Sequence, residues 1–201
     1  MPDTYKTIAQ KSEGIYKEKS SKFLSFAFPV THIDEIKTIL GEFKKTYYDA
    51  RHICYAYMLG YERNDFRAND DGEPSGTAGK PILGQINSHE LTNVLLVVVR
   101  YFGGIKLGTS GLITAYKTAA SDAIENSSVI EKTVDEDVSF LFEYPFLNDV
   151  MRIVKEENAE IVSQQFDMDC NMTLRIRKSE MPKLSSRLEK VETLRFEGLS
   201  L

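Results

Sequence analysis

Six consecutive apolar residues, VLLVVV at 94–99, interrupt an otherwise mixed chain. A run this short, four of its residues valine, reads as a strand covered on both faces. It turns polar at Arg100, and Gly103, Gly104, Gly108 and Gly111 follow. A helical pattern then runs over about 109–126, with Leu112, Tyr116, Ala119, Ala120 and Ala123 as its buried stripe. Upstream, 14–17 and 22–28 read as a hairpin that turns at Glu18-Lys19-Ser20-Ser21 and closes at Pro29. Ile33, Ile36, Leu40, Phe43 and Tyr47 recur at helical spacing behind Thr31 as N-cap. Residues 50–59 return to strand, with His52, Cys54, Ala56 and Met58 on one face and Arg51, Ile53, Tyr55 and Tyr57 on the other. Residues 1–12 lack periodicity and are expected to be loose. Residues 60–80 form a long polar loop of the kind that carries function, and Pro81 is suited to start a short helix through Ser88.

Residues 127–132 are polar and aperiodic, which predicts a domain boundary and a protease-sensitive linker. Beyond them come a strand at 134–144, a helix at 145–158, strands at 160–165 and 168–177, a helix at 180–191 and a strand at 193–197. The order β-α-β-β-α-β predicts a ferredoxin-like split βαβ domain. The chain is therefore expected to be α+β, with an α/β domain over 1–130 and a ferredoxin-like domain over 131–201.

Composition narrows the function classes. No apolar run approaches the roughly 18 residues of a membrane span, and the N-terminus has no apolar signal core. Cys54 and Cys170 are isolated thiols, so a reducing cytoplasm is the expected compartment. Through Lys132 the chain carries 16 Lys+Arg against 16 Asp+Glu; the remainder carries 9 against 14. A strongly basic footprint for nucleic acid is absent, although a local basic patch on the first part is compatible with these counts.

The candidate chemistry gathers at the glycines. A buried strand, a turn carrying Arg100 and Lys106, and a helix start can together hold an anion, and Gly103, Gly104 and Gly108 equally suit tight packing. Lys80 belongs to GTAGKP, which is not a phosphate loop: Pro74 stands where its first glycine belongs and Pro81 where Ser or Thr would meet magnesium. Asp70, Asp71 and Glu73 offer oxygen ligands, but not at calcium-loop spacing, and no metal site is assigned. His52 and Cys54, two apart on a strand, lie roughly 6–7 Å from each other, too far to act as a nucleophile and its base. Cys54 suits a buried position. His52 is either a satisfied structural histidine or a partner of an Asp in the long loop. Arg175, Arg177 and Lys178 end a strand without aromatics in an acidic region, which points to protein contact there and not RNA.

The spaced set Gly79, Ile82-Leu83, Ile86, Leu91, Val97-Val98, Arg100-Tyr101-Phe102-Gly103-Gly104 and Leu107-Gly108 resembles the signature of the YigZ/IMPACT family. The segments DARH at 49–52 and DDGEPSGTAG at 70–79 resemble it too, and the last third is similar to the extra C-terminal domain of the bacterial branch. The resemblance implies an N-terminal domain similar to the second domain of a small-subunit ribosomal protein. It also implies a C-terminal domain similar to a ferredoxin-like domain of elongation factor G. Eukaryotic relatives act in translational control by binding a ribosome-associated activator of a kinase that phosphorylates an initiation factor. They use for this an additional N-terminal domain that this sequence does not contain.

Two functions are therefore expected. One is a cytosolic regulatory or binding protein contacting RNA or the ribosome, with Arg51, Lys80, Lys106 and Lys117 as available cations and the acidic C-terminal domain as a surface for a protein partner. The other is an enzyme on a small phosphorylated or carboxylated substrate, with the glycine turn holding the anion and His52 and a loop carboxylate moving protons. No complete catalytic constellation and no cofactor is legible. The shape formed by the 70s loop over the turn, deep pocket or open face, separates the two.

Overall fold

A computed structural model describes residues 3–167 and 169–197. Its strands and helices follow as β1 Thr4–Ile8, β2 Ser12–Glu18, β3 Ser21–Pro29, α1 Ile33–Thr46, β4 His52–Leu59, β5 Asp65–Asn69, α2 Gly79–Ser88, β6 Val94–Tyr101, α3 Gly108–Glu125 and β7 Val129–Thr133. They continue as β8 Asp135–Glu143, α4 Leu147–Glu157, β9 Glu160–Gln165, β10 Asp169–Arg177, α5 Met181–Leu188 and β11 Arg195–Phe196. The fold is mixed α+β. It divides into two compact units, one spanning Tyr5–Lys132 and the other running from Thr133 onward together with the N-terminal residues up to Thr4.

The first unit is a five-stranded antiparallel sheet in the order β2-β3-β6-β4-β5. β6 occupies its centre, and alternate side chains of that strand enter different cores. Leu95, Val97 and Val99 pack with Ile36 and Phe43 of α1. Val94, Leu96 and Val98 pack with Ile82 and Ile86 of α2 and the alanine stripe of α3. Helices on both faces explain why this antiparallel strand reads as an unbroken apolar run. The small residues of α3 bring β2 close. A side chain at Gly14 would meet the Ala123 amide at 2.6 Å, and the Ser12 hydroxyl donates to the Ala123 carbonyl at 2.7 Å.

In the second unit the strand order is β11-β8-β10-β9, all antiparallel, with α4 and α5 contributing Val150, Ile153, Val154, Leu184 and Leu188 to its core. Its strand cations are engaged. Arg175 makes a two-pronged contact with Asp137, and Arg177 makes one with Asp3.

Several expectations change. Met1 and Pro2 lie outside the described residues, and 3–12 are not loose, for β1 pairs with β7 and buries Thr7 and Ile8. Only two residues of β1 are buried and its partner is distant in sequence, so local periodicity is weak. For the same reason 127–132 is no bare linker: it contains most of β7, and the Ala9 amide donates to the Ser128 carbonyl. The 60–80 loop includes β5, an edge strand paired on one side to β4, whose exposed Asp65, Phe66 and Arg67 disguise it. Helix α1 starts one residue later than expected, behind His32, and Thr31 instead donates its hydroxyl to Glu35. The strand expected at 168–177 is found from Asp169; Met168 lies outside the described residues.

Candidate functional site

The side chain of Arg100 leaves β6 on the α3 side, opposite Phe23 of β3 and His52 of β4 in the strand register. Its guanidinium carbon sits 5.5 Å from the ring centres of both Phe23 and Phe102. There it meets Glu73 from the 70s loop, Nη1 to Oε1 at 2.5 Å, with the two side chains only 7 % and 3 % exposed. The Tyr116 hydroxyl, from the third turn of α3, donates to the same oxygen at 2.8 Å. The single Cys54 S–H has two acceptors in reach, the Asp70 carbonyl at 3.0 Å and Tyr116 Oη at 3.4 Å. Burial pushes both the Cys54 thiol and the Tyr116 phenol far above their ordinary values, so neither ionises near neutrality. Arg100 Nε is buried without a hydrogen-bond partner.

The loop itself is held by its carboxylates. Asp70 accepts hydrogen bonds from the amides of Gly76, Ala78 and Gly79 at 2.8–3.0 Å and so caps α2. Burial alone would raise its pKa; the three amides and nearby Lys80 outweigh that and hold it below the ordinary carboxylate range. Asp71 accepts from the Ile53 amide at 2.6 Å, and its carbonyl lies 2.7 Å from His52 Nδ1. His52 thus bonds an Asp of the loop through that residue's backbone, while its Nε2 lies 3.8 Å from Glu73. Asp70, Asp71 and Glu73 each serve a different partner and do not converge on one point.

A cleft of about 660 Å³ opens beside this network. Of the sequence candidates, Arg51, His52, Glu73, Arg100, Lys106 and Gly108 line it. Pro74, Phe102, Leu107 and Leu112 supply apolar walls. Lys80, next to the loop, and Lys117, on the exposed side of α3, are not lining residues. Gly103 is explained by packing: a side chain there would lie 2.1 Å from the Ser20 carbonyl carbon, and its amide donates to Ser21 Oγ. Gly104 and Gly108 have φ of +87° and +74°, a conformation that glycine adopts without strain. Gly108 starts α3, whose first turn has no side-chain cap.

Sequence reasoning placed Tyr116 in the buried stripe without seeing its hydroxyl's role. A buried tyrosine needs a hydrogen-bond partner, and that was the available signal. In the sequence Phe102 is one residue of the RYFGG resemblance; its exposure beside the Arg100 guanidinium is visible only in the structure.

Residues 19–124 match the Impact N-terminal domain. The chain belongs to the IMPACT family. IMPACT family member YvyE of Bacillus subtilis (strain 168) is 34% identical over 156 residues, covering 78% of this chain and 72% of that protein. An IMPACT family member of Haemophilus influenzae is 31% identical over 188 residues, covering 90% of each. A solved structure of a hypothetical protein superposes with a TM-score of 0.76 at 25% identity, covering 98% of this chain and 97% of the other. The mixed α+β fold is thus shared with that hypothetical protein over nearly the whole of both chains. Among the described residues, no helix is long and apolar enough to cross a membrane.

Proposed function

We propose that this chain is a translation-linked regulatory protein that works by binding, and that the cleft beside Arg100 receives the anionic group of its ligand. The observation that carries this reading is the pairing of two exposed cations, Arg51 and Lys106, with a buried Arg100 whose Nε lacks a partner. Because Glu73 offsets the charge of Arg100, the net attraction comes from Arg51 and Lys106, and Arg100 contributes an oriented donor. Membership of the IMPACT family supports the link to translation, and RNA or the ribosome is the partner we favour. We read the unit from Thr133 onward as ferredoxin-like, a reading supported by its strand order, and as a surface for a protein partner in view of its acidic balance. We read the first unit as similar to the second domain of a small-subunit ribosomal protein, and its place of action as the cytoplasm.

The test is salt-dependent binding to RNA and ribosomes. Arg51→Ala/Lys106→Ala should bind more weakly, with the slope of log affinity against log salt reduced by roughly 1–2 for two lost phosphate contacts. An unchanged slope removes the cleft as the contact. One observation favours a small phosphorylated or carboxylated ligand: Glu73 and Pro74 of the 70s loop form a wall of the cleft, which is therefore no flat face. In that case phosphate or a carboxylate raises the melting temperature of the wild type and not of the double variant.

A further inference from the structure

We infer that the ligand of this cleft is a nucleotide unit, its phosphate directed at Arg100 and the start of α3 and its base stacked on Phe102. The inference rests on the anion reading above and adds to it the body that carries the charge. Three observations support it.

The first is size. A cleft of about 660 Å³ is much larger than an inorganic anion needs and lies within the roughly 300–1,000 Å³ of sites that enclose whole small molecules.

The second is the donor set. Arg100 lines the cleft with its side chain 7 % exposed, its Nε is buried without a partner, and Glu73 holds its Nη1 at 2.5 Å. Gly108, at φ +74°, turns the chain into α3, whose uncapped first amides and positive dipole end adjoin the same cleft. A phosphate has enough oxygens to accept from both groups at once.

The third is Phe102. The residue is 47 % exposed, lines the cleft and has the Arg100 guanidinium carbon 5.5 Å from its ring centre. Leaving a large aromatic half in water beside a fixed cation forgoes burial that folding could have used. Every nucleobase presents a π-face to such a ring, and aromatic side chains that stack bases commonly adjoin cations that hold the backbone. An aliphatic phosphate would fit the donors but gain little from the ring. The ligand class covers a free mononucleotide and a nucleotide of a single-stranded RNA alike.

The experiment compares inorganic phosphate, adenosine monophosphate and a short single-stranded RNA on wild type, Phe102→Leu and Phe102→Tyr, by titration calorimetry, after thermal melts establish that each variant is folded. The nucleotide is expected to bind more tightly than phosphate. Phe102→Leu should weaken the nucleotide about tenfold while leaving phosphate unchanged, and Phe102→Tyr should retain wild-type affinity. RNA tighter than the mononucleotide identifies a strand as the source; equal or weaker RNA identifies the free nucleotide; both support the inference. Equal affinity for phosphate and nucleotide, or a nucleotide affinity unmoved in Phe102→Leu, overturns it while the anion reading stands. Absence of binding by all three ligands overturns both.

Discussion

The carboxylate of Glu73 and the guanidinium of Arg100 meet at 2.5 Å across 27 residues of sequence, with both side chains almost wholly removed from solvent. This contact ties the 70s loop to the end of the central strand. A buried pair of this kind adds less than its Coulomb energy suggests, because both ions lose hydration. Breaking it by removing one partner is another matter, since the surviving charge stays buried. Glu73→Gln is therefore expected to cost about 3–5 kcal/mol in urea unfolding. Tyr116→Phe, which removes one donor to the same oxygen, should cost only about 1 kcal/mol. Equal and small losses in both variants would mean that the loop is not anchored through this carboxylate.

Asp70 makes stability depend on pH in a defined direction. Its folded-state pKa is held below the ordinary 3.8 by the amides of Gly76, Gly79 and Ala78, which prevail over burial. A group depressed on folding contributes in full above its unfolded value and loses that contribution as pH falls through the folded one. Wild type should thus exceed Asp70→Asn in stability at pH 6, and the gap should close as pH drops below 3.8. Chemical denaturation of both proteins across this range is the measurement; a gap that widens in acid contradicts the capping role.

Two glycines should respond oppositely to the same change. A methyl group at Gly103 would lie 2.1 Å from the backbone of Ser20, whereas one at Gly41, within α1, would meet nothing within 4 Å. Gly103→Ala is expected to destabilise by about 1–3 kcal/mol or prevent folding. Gly41→Ala should stabilise by roughly 0.5–1 kcal/mol through helix propensity. Thermal melts of the two variants decide this, and a tolerated Gly103→Ala would show that the hairpin turn does not press on the RYFGG segment.

Both cysteines are buried, and the Cys54 thiol is additionally raised far above its ordinary pKa by burial. Thiolate is the reactive form, so a disulfide reagent at neutral pH should modify neither residue rapidly in the native protein and both on unfolding. Fast native labelling at Cys54 would mean that the 70s loop opens readily.

Much of the fold is determined by residues that are near one another in the chain. The apolar run at 94–99, the 3.6-residue period of α1 and α3 and the β-α-β-β-α-β order after residue 133 each express local burial, which periodicity reports directly. Arg100 and its glycines point to the candidate site for a similar reason: polarity changes abruptly where a buried strand emerges from its sheet. The remaining features depend on partners distant in sequence. β1 and β7 look polar because each buries little and needs the other; β5 looks like a loop because an edge strand pairs on one side only. Neither composition nor spacing could say that Glu73 neutralises Arg100, or that the Tyr116 hydroxyl joins them, because those contacts arise only when β6, α3 and the 70s loop pack together. A buried charge must find its counter-charge somewhere, but which of three neighbouring carboxylates supplies it was decided by tertiary structure: Asp70 and Asp71 are committed to backbone amides, and Glu73 alone turns inward to the arginine.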